Sequence, residues 1–164
     1  MKSLLSLKKR INKDALACGL KQLSQRGARK LQAYALDKNS RWLRSSGLEK
    51  ATLDGDSTVS MVYGHQEGAA KGFNEKKKGA KSYHPLLVFV SEMKLLYHNW
   101  FRTSSAYTSN GIEEFLKEVE ASLPDTIKKV FFPAESGFFK GPLLDLLEDY
   151  GWDYLIKVKL KKLL

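Results

Sequence analysis

Two short segments of the sequence place acidic side chains directly beside apolar runs. Asp54 and Asp56 lie within the segment Leu-Asp-Gly-Asp-Ser-Thr-Val at 53–59, and Glu135 follows the apolar run at 130–132. A buried strand rarely ends in a bare carboxylate unless the charge is paired, hydrogen-bonded or bound to a metal. Two such ends on neighbouring strands would form a two-carboxylate cation site, which is suited to phosphoryl transfer in nucleic acids.

Each of these acids also has a simpler explanation. Asp56 can be an aspartate in a turn, and Glu135 can be a solvated acid at the end of a strand. Asp54 lies on the same strand face as Asp56, and we assign it a supporting role rather than metal binding. Ser57 and Ser136 follow the two acids, and we expect them to hydrogen-bond the metal ligands.

The positive charge of the chain is concentrated at its N-terminal end. The net charge of the whole chain is +10, and residues 1–50 account for it with 13 Lys and Arg against 3 Asp and Glu. A basic segment ahead of a neutral domain indicates a polyanionic partner, most often nucleic acid. A tail that only aids solubility, or a surface that rests on anionic lipid, remains an alternative. We therefore divide the chain into a basic helical segment, 1–50, and a domain, 51–164.

A second basic feature lies in the glycine-rich stretch at 64–82. We predict that this stretch is a loop whose lysines contact the DNA backbone, the alternative being a solvated charged loop. The lysines concerned are Lys71, Lys76, Lys77, Lys78 and Lys81. His84, which precedes Pro85, is expected to hold this loop through hydrogen bonds rather than to bind a metal.

Several classes of protein are excluded by composition. The single cysteine, Cys18, rules out an internal disulfide and a cysteine-based zinc cluster. No stretch approaches the roughly 20 apolar residues of a membrane span, and the N-terminus does not have the pattern of a signal peptide. We expect a cytoplasmic protein without a membrane partner.

The periodicity of apolar residues predicts the elements that must position the acids. We predict a helix at 12–36, a loop or short helix at 37–50, and strands near 51–63, 86–90 and 94–102. A helix capped by Asn110, a strand at 127–132, a helix beginning at Pro142 and a strand from Tyr154 to Leu160 follow. This is an α/β order with an antiparallel first part and a parallel second part, as in the ribonuclease H-like fold.

Several phrases of the sequence resemble the DDE transposases of bacterial insertion sequences, in particular the group numbered thirteen-eighty. The resemblance extends from about residue 12 to the end, and its phrases occur in the family's order. They are Leu53–Val59, Tyr63–Asn74, Ser82–Leu87, Ala106–Gly111, the segment around Glu135, and Tyr154–Lys159. The resemblance implies a ribonuclease H-like catalytic domain that cuts DNA at transposon ends and joins it to a target.

The resemblance also implies roles for individual residues. The first catalytic acid of the family corresponds to Asp56, and the second corresponds to Glu135. The family's second phrase usually reads Arg-Ala-Asp-Ser-Gly-Phe, whereas residues 133–138 read Pro-Ala-Glu-Ser-Gly-Phe. The third acid, a glutamate, lies beyond the end of this chain in the family, which implies a truncated copy whose fold is incomplete at the C-terminus. Mg²⁺ or Mn²⁺ is the implied cofactor, with Asp56 bridging two ions and Glu135 holding one.

The resulting hypothesis is a transposase fragment for metal-dependent DNA cleavage and strand transfer. We expect weak or absent activity, because Glu135 is one methylene longer than aspartate and a displaced carboxylate can cost on the order of 10²-fold in rate. The alternative is a non-catalytic DNA-binding remnant that interferes with intact transposase, and a weaker one is an unrelated basic nucleic-acid-binding module. The implied partners are transposon-end and target DNA, with either a homo-oligomer or a mixed oligomer with full-length transposase.

Overall fold

A computed structural model describes residues 12–22, 24–64, 66–72, 79–103 and 110–158. The chain divides into two compact units, with the division between Tyr34 and Ala35. Helix α1 (Lys13–Lys21) belongs to the first unit, and helix α2 (Gln25–Ser45) begins there. In the described stretches, no helix is both long enough and apolar enough to cross a membrane.

The helix predicted at 12–36 is in fact two helices. The hydroxyl of Ser24 accepts a hydrogen bond from the N–H of Gly27 at 3.2 Å, so Ser24 caps the start of α2. Helix α2 then continues through residues predicted to be a loop or short helix and ends at Ser45. Asp37 and Arg41, one turn apart, form an ion pair at 3.0 Å on this continuation.

The C-terminal part of α2 is built into the second unit. Leu43 is completely buried in its core. The side-chain amide of Asn39 donates to the carbonyls of Leu96 and Tyr97 at 3.0 and 2.8 Å, and the hydroxyl of Ser40 donates to the carbonyl of Ser122 at 2.6 Å. Residues 35–45, which sequence analysis grouped with the basic segment, therefore help to support the sheet.

In the described part of the chain the strands form two sheets. They are β1 (Lys50–Ser57), β2 (Ser60–Met61), β3 (Ala70–Lys71), β4 (Lys81–Tyr83), β5 (Leu86–Val90), β6 (Leu95–Trp100), β7 (Lys129–Ala134) and β8 (Asp153–Ile156). The main sheet has the order β6-β5-β1-β7-β8, and a small sheet has the order β2-β4-β3. The predicted antiparallel and parallel halves are confirmed, because β1 pairs antiparallel to β5 and parallel to β7.

Helices α3 (Ile112–Ser122) and α4 (Gly141–Asp149) make the crossovers that parallel pairing requires. Helix α3 connects β6 to β7, and α4 connects β7 to β8. One hydrophobic core joins their apolar faces to one face of the main sheet; its members include Leu53, Val88, Phe115, Val119, Phe132, Leu143 and Leu147. The other face of the sheet is where Asp54 and Asp56 lie exposed.

The start of α3 differs from the prediction that Asn110 caps it. Gly111 is the N-cap residue, its φ is 71°, and no side chain caps the helix. A Cβ atom at Gly111 would lie 3.1 Å from the ring of Trp100. Glycine is favoured at this turn because the chain enters α3 through the left-handed region beside an indole ring.

Two other predictions about regular structure were only partly right. The stretch at 64–82, predicted as a loop, also contains β3 and β4, which pair antiparallel. The last strand, predicted from Tyr154 to Leu160, ends at Ile156, and residues 159–164 lie outside the described residues. Lys157 is thereby the first residue after β8, at the edge of the sheet that carries the acids.

Candidate active site at the sheet edge

Strand β1 presents Asp54 and Asp56 on its exposed face and buries Leu53 and Gly55 on the other. This alternation follows from the two-residue period of an extended chain, since Leu53 belongs to the core. The two aspartates are therefore about 6.6 Å apart along the strand, by the rise per residue. Asp56 is the nearer of the two to the C-terminal end of β1.

Gly55 sets how closely β1 approaches the core on its buried side. A Cβ atom at Gly55 would lie 2.6 Å from Cζ of Phe132, which is itself completely buried. No larger side chain fits without moving that ring. The glycine between the two aspartates is thus required by packing, which the sequence pattern did not reveal.

Glu135 lies beside Asp56 because of the parallel register of β1 and β7. Gly55 is paired with Ala134, so the next residue of each strand, Asp56 and Glu135, occupies the next position along both. Both residues are exposed on the same side, opposite Gly55. Neighbouring strands are about 4.8 Å apart, which brings the two acids to the same edge of the sheet.

The turn after β7 packs into the core and so fixes the backbone of Glu135. Ser136–Phe138 form a 3-10 turn, and Phe138 is buried in the core with 1% of its surface exposed. The N–H of Phe138 donates to the carbonyl of Glu135 at 3.0 Å. Ser136, predicted to support the metal ligands, begins this turn, and its role as a supporting side chain stays a prediction.

Pro133 interrupts the pairing just before the acid. The Cα partners of β1 and β7 run from Lys50 to Thr52 on β1, lapse, and resume at Gly55. Proline has no N–H to donate to a neighbouring strand. The β1–β7 ladder is therefore weakest directly beside Asp54, at a position where the family phrase has arginine.

Lys157 lies beside Glu135, directly after the strand next to β7. The N–H of Lys157 donates to the carbonyl of Ala134 at 3.1 Å, continuing the β7–β8 pairing in which Ala134 partners Ile156. Its Nζ lies 3.6 Å from Oε2 of Glu135, and both side chains are 68% exposed. Sequence analysis missed Lys157, because nothing but the register of the last strand distinguishes it from its neighbours.

These side chains share one open cavity of about 600 Å³. Its polar lining consists of Asp54, Asp56, Glu135 and Lys157, and Phe89 and Leu155 provide apolar walls. The cavity is open to solvent, so the charged side chains that line it are accessible from outside.

The hydrogen bonds around Asp56 fix the end of β1. Oδ1 of Asp56 accepts a hydrogen bond from the N–H of Ser57 at 2.7 Å. The hydroxyl of Ser57 shares a hydrogen bond of 2.5 Å with Nε2 of His84, which is almost completely buried. Ser57, predicted to contact the metal ligands, thus uses its hydroxyl to join β1 to the start of β5. The N–H of His84 donates to the carbonyl of Arg102 at 2.9 Å. The expectation that His84 holds the loop at 64–82 stays a prediction.

The opposite end of β1 is fixed by Glu92. Its two carboxylate oxygens accept the N–H of Thr52 at 2.9 and 3.1 Å. Burial acts to raise the pKa of Glu92, but hydrogen bonds from the side chain and backbone of Thr52 outweigh it, and the pKa lies below its usual value. The charged form of Glu92 therefore supports the strand that carries both aspartates.

The carboxylates of this edge fit a hard divalent cation in donor type. Mg²⁺ binds oxygen ligands and is commonly held by one or two carboxylates, with water and substrate phosphates completing its shell. Within the described stretches, no three His, Cys, Asp or Glu side chains stand close enough together to hold a metal ion. A cation at this end of the sheet would be held by Asp56 and Glu135, with water and substrate phosphates completing its shell.

The structure describes two of the five lysines predicted to contact DNA, Lys71 and Lys81. Lys76, Lys77 and Lys78 lie outside the described residues. Lys71 on β3 and Lys81 on β4 are direct partners in the antiparallel pair of the small sheet, so their side chains lie on the same face. Like charges directly opposite each other destabilise a sheet, and an anion between them relieves the repulsion.

A comparison with known families gives a match over almost the whole chain. The family model described as "Transposase DDE domain group 1" matches residues 11–164. A search of curated proteins finds no match.

Two solved transposase structures are similar to the chain, and the first of them shares its fold. A piggyBac transposase synaptic complex with hairpin DNA matches with a TM-score of 0.50 and 18% identity, over 69% of this chain and 24% of that one. A Mos1 transposase paired-end complex with the left transposon end matches with a TM-score of 0.47 and 14% identity, over 82% of this chain and 43% of that one. The chain thus spans about a quarter of the piggyBac chain and less than half of the Mos1 chain. The mixed sheet with flanking helices is the α/β, ribonuclease H-like arrangement expected from the sequence.

Proposed function

The chain belongs to the group 1 transposase DDE domain family, and from that premise we propose that Asp56 and Glu135 form the two-carboxylate centre of a DNA-cutting and strand-joining domain. The observation that carries this proposal is the parallel register in which Gly55 is paired with Ala134. It supports adjacent positions for the two acids at the ends of β1 and β7, 79 residues apart in sequence. Asp54, two residues earlier on β1, would add negative charge to the same cavity.

The protein's own groups would hold and orient the reacting DNA. Mg²⁺ or Mn²⁺, when bound, would neutralise charge on the phosphate and lower the pKa of an attacking water or hydroxyl. Asp56 and Glu135 would be its ligands. The N–H of Ser57 orients the carboxylate of Asp56, and the bond between Ser57 and His84 limits movement of that strand end. A rigid, prearranged ligand pair avoids reorganisation during the reaction.

DNA would run from the acidic edge along the small sheet. Residues 58–59 are all that separate β1 from β2, and only His84 and Pro85 separate β4 from β5. Lys71 and Lys81 would contact a backbone phosphate together, and Lys76, Lys77 and Lys78 would extend that contact. Phosphate contacts position a protein on DNA without reading its sequence.

The substrates we propose are the ends of an insertion sequence of group thirteen-eighty and a target DNA. This assignment depends on the sequence phrases at 53–59, 63–74 and 133–138. Strand transfer at two ends would require either a homo-oligomer or a mixed oligomer with full-length transposase.

The decisive experiment is metal-dependent nicking of labelled duplexes that carry the transposon ends, with supercoiled plasmid as a non-specific substrate. The unmodified chain is compared with Asp56→Asn, Glu135→Gln and Glu135→Asp. Asp54→Asn is the matched comparison, because it removes a charge from the same face of the same strand. Cleavage that requires Mg²⁺ or Mn²⁺ and is lost in Asp56→Asn, but retained in Asp54→Asn, is the expected result. Glu135→Asp should increase the rate, since it restores the shorter side chain of the family phrase.

A second candidate function, a non-catalytic DNA-binding remnant, is favoured by one feature of the same site. Lys157 is ion-paired with Glu135, whose side chain is longer than the aspartate of the family phrase. Salt-sensitive DNA binding without cleavage by any variant, including Glu135→Asp, would support this function. Inhibition of intact transposase by the added chain would then reveal its effect on transposition.

A further inference from the structure

Lys157 occupies the third position in a row that crosses three neighbouring strands. Asp56 follows the end of the β1–β7 pairing, Glu135 follows β7 and Lys157 follows β8, with Gly55, Ala134 and Ile156 as the preceding row. Across the C-terminal ends of these three strands, the side chains are therefore two carboxylates followed by an ammonium group. All three side chains line the same cavity.

The ammonium group of Lys157 and a metal ion would compete for the same carboxylate, that of Glu135. Its Nζ is 3.6 Å from Oε2, one of the two oxygens that Glu135 can offer. Both side chains are largely exposed, so the pair is weak and exchanges readily. A doubly charged ion bound to Glu135 would repel the ammonium of Lys157, and the weak ion pair would give way to the ion.

When DNA is bound, a phosphate of its backbone would be the new partner of the displaced Lys157. Lysine is a flexible point charge with three donors, well suited to a phosphate oxygen. The backbone of Lys157 is held by its hydrogen bond to the carbonyl of Ala134 at 3.1 Å. The ammonium group can therefore change partners by rotation of the side chain alone.

We propose that Lys157 is a positioning residue with two alternating partners: it pairs with Glu135 when no divalent cation is bound, and with a DNA backbone phosphate when Glu135 holds the cation. The inference rests on the proposed function, because it takes Glu135 as a ligand. It adds that the metal affinity of the site is held down by the protein's own lysine, and that metal binding makes this lysine available to DNA.

The test measures Mn²⁺ binding to the protein alone, from the electron paramagnetic resonance signal of free Mn²⁺. Lys157→Met removes the charge and keeps much of the side chain. Lys129→Met is the matched control, since Lys129 is an exposed lysine at the opposite end of β7. We expect Lys157→Met to tighten Mn²⁺ binding by about two- to fivefold, the range of an exposed ion pair, and Lys129→Met to leave it unchanged. In a Glu135→Gln background, Lys157→Met should have no further effect.

The second measurement is the affinity for a short DNA duplex in Mn²⁺ over a range of salt concentrations. Lys157→Met should reduce the slope of log affinity against log salt by roughly 0.9 more than Lys129→Met does, as expected for one lost phosphate contact. Unfolding curves of each variant check that the fold is retained.

The outcomes separate this inference from the proposed function. If Mn²⁺ affinity falls in Asp56→Asn and Glu135→Gln but does not change in Lys157→Met, Lys157 is a bystander and the proposed centre stands. If Mn²⁺ affinity is the same in all of these variants, the proposed centre and the role of Lys157 both fail.

Discussion

The ring of Phe132 lies against the backbone of Gly55, so close that a Cβ atom at residue 55 would be 2.6 Å from its Cζ. This contact joins β7 to β1 on the core side, directly behind the two aspartates. The spacing of the acids on the open side therefore depends on a residue without a side chain on the buried side. Gly55 lines the cavity, and Phe132 supports it from the core side.

Gly55→Ala should destabilise the protein and disturb the site. An added methyl group in a packed core typically costs about 1–3 kcal/mol, and we expect a loss in the free energy of unfolding of that size in urea denaturation. Phe132→Leu should restore part of this loss in the double variant, because the smaller side chain leaves room for the methyl group.

Gly141→Ala is the matched control, since nothing lies within 4 Å of a Cβ atom at that position. It should leave the free energy of unfolding within about 0.5 kcal/mol of the unmodified protein. An equal loss in both variants would contradict the packing role of Gly55.

Lys71→Ala combined with Lys81→Ala should weaken DNA binding while stabilising the small sheet. The two lysines are direct partners on β3 and β4, so removing them relieves like-charge repulsion of roughly 0.2–1 kcal/mol. The slope of log affinity for DNA against log salt should fall by roughly 0.9, because the two lysines contact one phosphate together. Fluorescence anisotropy with a labelled duplex measures the slope.

The comparison is a double variant of two other exposed lysines, Lys117→Ala with Lys140→Ala. A slope that changes equally in both double variants would show that Lys71 and Lys81 contribute only general positive charge.

Glu92→Gln should make the stability of the domain less dependent on pH in acid. The pKa of Glu92 is lower in the folded protein than its usual value, with burial opposed and outweighed by the hydrogen bonds from Thr52. Its contribution is therefore fully present above the unfolded pKa of about 4.3 and is lost as pH falls through the lower, folded pKa. The unmodified protein should be more stable than Glu92→Gln at neutral pH, and the difference should shrink below about pH 4.

Urea unfolding at a series of pH values measures this difference. Glu49→Gln changes an exposed acid just before β1 and is the control. A difference between the unmodified protein and Glu92→Gln that stays constant down to the lowest pH would rule out the proposed linkage.

Glu118→Ala should destabilise the contact between α3 and β6. Oε2 of Glu118 lies 2.8 Å from Nε2 of His98 and accepts the indole N–H of Trp100 at 2.9 Å. The side chain of His98 is 3% exposed, so removing its partner leaves a buried polar group unsatisfied, at a cost of about 1–3 kcal/mol. Lys117→Ala, an exposed neighbour on the same helix, should change the free energy of unfolding by less than about 0.5 kcal/mol. Similar values for the two variants would contradict this role.

The amino-acid sequence was sufficient to predict the order of the main-sheet strands and of α3 and α4, but not the small sheet. The continuous apolar run of β5 and the helical spacing of Phe115 and Val119 are local patterns, set by which residues must face a core. They predicted the mixed sheet, and the phrase around Asp56 led to the transposase family that the family comparison bears out. The division between α1 and α2 was missed, because the hydroxyl of Ser24 competes locally with helix continuation.

The tertiary structure decided which residues stand together at the open edge. The register of β1 against β7 brings Asp56 beside Glu135, and the register of β7 against β8 adds Lys157. Register depends on packing between distant segments, such as the ring of Phe132 on Gly55, and a shift of one residue would turn each acid to the other face. The sequence by itself therefore determined the types of residue available for chemistry, and the pairing of strands determined their neighbours.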